Sequence, residues 1–229
     1  MIFIVFIVLF VSAKGKKLWV YFLEVRQEIK YLSKKYSSYK YMSQAFKNLI
    51  ARTVNLDEGA WQAMEKILHT KTLKRKENYL REGETCKNMG FIVKGYVRLY
   101  YLVDGKEITK DFSFENSFCG SYASFSMNEP SRFNVVAMED LELLTFERNS
   151  LFEICDRHPA IQKFLRLSLQ DLFIRKEMRE SAFLLDPAEK RYNDLLAGHP
   201  QIIQRVPLKY LASYLGMSAE TISRIRKKA

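Results

Sequence analysis

The run from Pro207 to Lys228 (PLKYLASYLGMSAETISRIRKK) restricts the fold of this chain more than any other segment. Its apolar residues Leu211, Leu215, Ile222 and Ile225 recur at helical spacing on either side of Gly216. That pattern predicts two short helices sharing one apolar wedge. Ala212 is small enough to let the helices approach, and Gly216 suits a tight turn because it reaches positive φ without a Cβ clash. Ser218 is placed to cap the second helix. Residues 187–229 are therefore expected to form a helix-turn-helix unit.

In such a motif the second helix offers its N-terminal residues to base edges in the major groove of DNA. Glu220 can accept from cytosine N4, and Arg224 can donate two bonds to guanine O6 and N7. Lys209, Arg226, Lys227 and Lys228 suit phosphate oxygens, and Ser218, Ala219 and Thr221 complete the candidate DNA-binding set at the start of the helix. Competing structural roles exist: a carboxylate at Glu220 is favoured by the helix dipole, and Arg224 can form a surface ion pair.

Charge supports the nucleic-acid reading. The 229 residues carry 37 Lys and Arg against 26 Asp and Glu, a net charge of +11. Residues 205–229 hold six Lys or Arg and one Glu, net +5, and residues 1–41 hold eight and two, net +6, so the stretch between them is neutral. A basic C-terminus binds phosphate by releasing counterions, although a charge run can also be only a solvated face.

The N-terminal forty residues are of another kind. Residues 2–13 (IFIVFIVLFVSA) are almost wholly apolar and are followed by Lys14, Lys16 and Lys17. A spanning helix needs about 20 apolar residues, and a secretory signal carries its positive charge ahead of the apolar run. Two readings of residues 1–41 stay open: an apolar anchor, or a translation start placed too far upstream, with Met42 as the true start. The first supports an alternative in which the chain is a membrane-associated ligand-binding signalling protein. The second leaves the chain cytoplasmic, with the membrane not a partner.

Between the basic ends, residues 42–155 read as a β-rich domain. Asp57 to Leu68 has helical spacing of Trp61, Met64, Ile67 and Leu68. The runs Gly90 to Val103 and Lys106 to Phe112 flank Asp104-Gly105, a two-residue hairpin signal. A further run spans Phe133 to Phe146, and short strands at this spacing predict an antiparallel barrel or roll. Residues 156–186 then predict a long helix with Pro159 in its first turn. One stripe runs Phe164, Leu167, Ile174, Met178, Leu185 and a second runs Leu165, Leu169, Leu172. Two stripes imply two partners, the β-domain and a second copy of the helix, giving a homodimer through residues 160–185. Asp186-Pro187-Ala188-Glu189 reads as a new helix start, ending near Gly198. The fold class is α+β: an antiparallel β-roll, a long dimerisation helix and a C-terminal helix-turn-helix.

This order of parts resembles the Crp/Fnr family of bacterial transcription regulators over about residues 42–229. The sharpest likeness is Ser218-x-Glu220-Thr221-x-x-Arg224-Ile225, similar to the recognition helix of the family. The resemblance implies a homodimer that binds a two-fold symmetric DNA site and contacts RNA polymerase, not an enzyme. Ala219 stands where basic residues are common, and the chain stops at Ala229, which leaves a winged-helix-like unit with a reduced wing.

The resemblance also implies a cyclic-nucleotide-type pocket, whose counterparts here are Gly120, Ser121, Ser131 and Arg132. Ser121 replaces the Glu that holds the ribose, and Ser131 falls at the place of the phosphate-binding Arg, with Arg132 one residue away. Cyclic AMP is therefore expected not to bind at micromolar concentration, and no cofactor is expected. Three cysteines, Cys86, Cys119 and Cys155, are too few for the four ligands of an iron–sulfur cluster, and nothing marks His69, His158 or His199 as a haem ligand. Cys119, beside the pocket, is expected to be a small buried hydrophobe rather than an oxidant sensor. No nucleophile elbow, phosphate-binding glycine loop or metal-ligand spacing appears.

Overall fold

A computed structural model describes residues 17–228. Helix α1 (Lys17–Thr53) is followed by compact structure to the C-terminus, and the chain divides into two compact units after Met42. The apolar run of residues 2–13 lies outside the described residues. Among the described residues no helix is long and apolar enough to cross a membrane.

In the second unit, Asp57 caps helix α2 (Glu58–Lys66) by accepting from the Ala60 N–H at 2.8 Å, and Ala60, Trp61 and Met64 are buried. Eight strands follow: β1 (His69–Leu73), β2 (Asn78–Leu80), β3 (Asn88–Lys94), β4 (Val97–Val103), β5 (Lys106–Ser113), β6 (Phe118–Cys119), β7 (Asn134–Ala137) and β8 (Leu141–Glu147). They form two antiparallel four-stranded sheets, β1-β8-β3-β6 and β2-β7-β4-β5. The short helix α3 (Tyr122–Met127) lies between β6 and β7. The roll predicted from the strand spacing is present, and its core includes Phe91, Ile92, Val97, Val135, Leu143 and Leu144.

The hairpin register matches the Asp-Gly signal. Val103 pairs with Lys106, and Asp104 and Gly105 have φ of 50° and 75°, the positive pair that a type I′ turn requires. The run Gly90 to Val103, by contrast, is not one strand. It breaks at Gly95, where φ is +82° and an added Cβ would stand 2.7 Å from the Asp140 carbonyl oxygen, so β3 and β4 enter different sheets. Phe133 to Phe146 divides in the same way into β7 and β8.

Helix α4 (Arg148–Arg157) leads into α5 (Pro159–Leu185), which starts at Pro159 as the sequence predicts. Its first turns bury Ile161 and Phe164. Farther along, Leu165, Leu167, Leu169 and Leu172 are half-buried, whereas Phe173, Ile174, Met178, Leu184 and Leu185 are exposed. The first stripe is thus divided, Phe164 inside and Ile174, Met178 and Leu185 outside, because the roll is shorter than the helix.

Helices α6 (Ala188–Gly198), α7 (Pro200–Arg205), α8 (Leu208–Leu215) and α9 (Ala219–Lys228) complete the chain. Helix α6 begins one residue later than the Asp-Pro signal suggests, because the Asp186 carboxylate pairs with Lys190 at 2.9 Å rather than capping backbone. Its C-cap is His199, not Gly198. Among the described residues no strand follows α9.

Candidate functional site

The helix-turn-helix segment has the geometry its residues predict. Leu211, Ala212, Leu215, Ile222 and Ile225 are buried together in one apolar cluster. Gly216 ends α8 in the left-handed region at φ 64°, its N–H reaching the carbonyls of Ala212 and Ser213. An added Cβ there would meet the Phe183 ring at 2.6 Å, so Gly is required for both turn and packing. Ser218 accepts from the Thr221 N–H at 3.1 Å. The Glu220 carboxyl is held below its ordinary value by the backbone N–H at its own position and then by Ser218. It is therefore charged at neutral pH and able to accept.

Glu220, Arg224 and Lys227 lie exposed on one face of α9, with Ser223 between them. Ser223 was missed by sequence reasoning, although its place one turn beyond Glu220 is a sufficient signal. Ala219 and Thr221 are half-buried and Lys209 is exposed. Arg226 is exposed and also has a structural contact: its Nε donates to the Tyr192 hydroxyl at 2.9 Å, tying α9 to α6. The side chain of Lys228 lies outside the described residues.

The helical unit is seated on the roll by Arg205 and Arg98 and on the long helix by Arg179. Arg205 donates to Glu115 through Nη1 and Nη2, both at 2.8 Å, and to Glu139 through Nε at 3.1 Å and Nη2 at 2.6 Å. The Arg205 carbonyl accepts from the Tyr96 hydroxyl at 3.0 Å. Arg98, only 2% exposed, pairs with Glu107, and its guanidinium lies 3.8 Å from the Tyr210 ring centroid. Arg179 donates to the Tyr214 carbonyl at 3.0 Å. In addition, the Thr109 N–H donates to Ser213 Oγ at 2.8 Å.

Burial alone would raise the Glu115 carboxyl, but hydrogen bonds from Arg205 and the Gly95 N–H outweigh it and hold the group below its ordinary value. A carboxyl lowered in the folded state stabilises above its unfolded pKa, and that stability is lost as pH falls through the folded value. Arg205→Ala is expected to cost about 1–3 kcal/mol at pH 7, a figure discounted because the pairs are partly solvated. The difference between Arg205→Ala and the native chain in urea unfolding should shrink as pH is taken below the carboxylate range. An unchanged difference would remove Glu115 from this role.

A cavity of about 590 Å³ lies between the roll, the end of α1 and the first half of α5. Seven phenylalanines line it, among them Phe46, Phe118, Phe133 and Phe164, with Leu165, Leu169 and Leu172 from the helix. Two of the four expected pocket residues, Gly120 and Ser121, are in its wall, but the Ser121 hydroxyl is spent accepting from the Ser124 N–H as the cap of α3. The other two are not in the wall. Ser131 is buried with its hydroxyl donating to the Phe133 carbonyl at 2.8 Å, and Arg132 is exposed. The charged groups that do line the cavity, Lys110, Asp111, Asp171, Arg175 and Lys176, carry no local sequence signal, because strand β5 and helix α5 meet only in the fold.

The three cysteines are free and buried. Burial pushes the Cys86 and Cys119 thiols up, and that of Cys155 to about 11, so all three are protonated and unreactive at neutral pH. Among the described residues no group of three or more His, Cys, Asp or Glu could hold a metal ion.

The chain thus joins an antiparallel roll, a long helix with an exposed apolar face and a C-terminal pair of helices around a tight turn. Residues 70–158 match the family model of the cyclic nucleotide-binding domain. No curated protein matches the sequence. FixK2 from Bradyrhizobium japonicum aligns with a TM-score of 0.60 at 18% identity, over 71% of this chain and 84% of that one. The c-di-GMP-responsive global regulator CLP of Xanthomonas campestris aligns with a TM-score of 0.60 at 18% identity, over 75% and 91%. A protein from Eubacterium rectale described as a crp/fnr family regulator aligns with a TM-score of 0.58 at 19% identity, over 76% and 83%. The chain thus has the fold of the Crp/Fnr regulators, and the stretch that matches the cyclic nucleotide-binding domain model is its roll.

Proposed function

We propose that this chain is a sequence-specific DNA-binding transcription regulator. It acts as a homodimer on a two-fold symmetric site and contacts RNA polymerase, and its roll is a sensor that does not answer to cyclic AMP. The observation that carries this reading is the face of α9: Glu220, Ser223, Arg224 and Lys227 are all exposed on a helix whose opposite side fills the wedge against α8. Exposed Phe173, Ile174 and Met178, 68%, 46% and 68% accessible, support self-association, since an apolar patch of this kind on a helix marks a partner surface. For the sensor, the serines at the ribose and phosphate positions have their hydroxyls committed to the protein.

Selection of randomised duplex DNA by the full chain tests the proposal. Enrichment of a two-fold symmetric site is expected; a folded chain that enriches no sequence, with or without added small molecules, would overturn it. Within that site, Arg224→Ala should cost about 1–3 kcal/mol and relax preference at one base pair per half-site. Lys227→Ala should weaken all sequences alike and flatten the salt dependence. Equal losses on all DNA from both variants would refute the division of base and phosphate roles.

A further inference from the structure

The cavity is built for a different ligand from the one its domain family is named for. Its interior is mostly carbon, a setting in which any polar group of a ligand left without a partner is costly. Its volume and apolar lining lie in the ordinary range for small-molecule sites. The charged groups are gathered along one side, where β5 faces α5. There Asp171 is occupied by Arg175 at 3.0 Å and Asp111 by Lys176 at 3.7 Å.

Lys110 is the odd group in this set. It is half-buried, its ammonium lies 4.9 Å from the Phe133 ring centroid, and among the described residues no carboxylate pairs with it. Burial first, and then the neighbouring Lys176 ammonium, bring its pKa down to about 8, with Arg179 adding to the repulsion and Asp111 opposing it. An ammonium held beside a second ammonium, at the edge of an apolar cavity, is an anion site with its charge uncompensated. Among the lining groups, with Asp171 and Arg175 paired to each other and Arg179 outside the lining, Lys110, Lys176 and Asp111 leave one net positive charge. That balance favours a single negative charge over a phosphate dianion.

We propose that this cavity binds an apolar small molecule bearing one carboxylate, with its hydrocarbon among the phenylalanines and its carboxylate on Lys110 and Lys176. The proposal rests on the reading of the roll as a sensor domain. Lys110 and Lys176 come from the roll and from the long helix respectively. A bound carboxylate would therefore bridge these two elements and relieve the repulsion between them.

Calorimetry on the full chain, with decanoate and decanol as probes below their aggregation limits, tests this directly. Decanoate is expected to bind once per chain and about tenfold or more tightly than decanol, through charge-assisted hydrogen bonds. Lys110→Met keeps the apolar stem and should abolish the preference for decanoate while leaving decanol affinity unchanged, whereas Lys110→Arg should retain it. Lys176→Met should reduce the preference. Equal affinity of the native chain for both probes, no binding of either, or an undiminished preference in Lys110→Met would each overturn the proposal. So would micromolar binding of cyclic AMP that decanoate fails to displace. DNA selection without ligand is read separately: a symmetric site with no decanoate binding refutes only the ligand, and decanoate binding with no site refutes only the DNA reading.

Discussion

Phe46→Ala is expected to destabilise the chain by about 3–5 kcal/mol, the range for deleting a buried aromatic ring from a packed core. Phe46 is 1% exposed, with ring centroids 4.7 Å from Phe91, 6.0 Å from Phe118 and 6.3 Å from both Phe146 and Phe164. It thus ties the end of α1 to the roll and to the start of α5. The space it would vacate adjoins the cavity that its ring lines, so collapse around it is limited and the upper part of the range is expected. Urea unfolding should show a lowered midpoint with an unchanged slope. Gln44→Ala, on the exposed side of the same helix, should stay within about 0.5 kcal/mol. A loss below 1 kcal/mol for Phe46→Ala would mean that the last turns of α1 are not part of the domain.

Leu211→Ala is the second large effect, about 2–5 kcal/mol. Leu211 is fully buried in the cluster that joins the wedge of α8 and α9 to Tyr192, Leu195, Ile202 and Val206, and also to Tyr96 and Phe112 of the roll. Its removal weakens the support of α9 and the seat of the helical unit together. DNA binding should fall with the folded fraction, and limited proteolysis should cut first between α7 and α9. Lys209→Ala, two residues away and exposed, should leave stability unchanged and lower DNA affinity alone. Matching losses of stability in the two variants would refute the assignment of Leu211 to the wedge.

Much of the fold was legible because its signals are local. Asp104-Gly105 names its turn, Ser218 names its cap, Pro159 names a helix start, and the four apolar residues around Gly216 define a helix pair within about twenty positions. The candidate interface was legible for the same reason, since Glu220, Arg224 and Lys227 share a helix face by spacing alone. The bond from Arg226 to Tyr192 was not legible, because Tyr192 lies 34 residues earlier and belongs to another helix. The sensor was the least legible part. Counting along the chain pointed to Ser131 and Arg132, but whether a side chain enters a cavity depends on strand register and twist, which counting does not supply.

Sequence by itself determined the kinds of element, their order, the turn chemistry and the face that α9 presents, each set by backbone preference or by periodicity over a few residues. Tertiary structure alone decided that the runs at Gly95 and at residues 138–140 change sheets, and that Arg205 reaches Glu115 and Glu139, 90 and 66 residues away. It also decided that Lys110 lies beside Lys176 at the edge of an apolar cavity. Those outcomes depend on which distant surfaces meet when the sheets close and the long helix lies against them. The free energy of such meetings resides in burial and charge pairing between segments, and neither segment carries it alone.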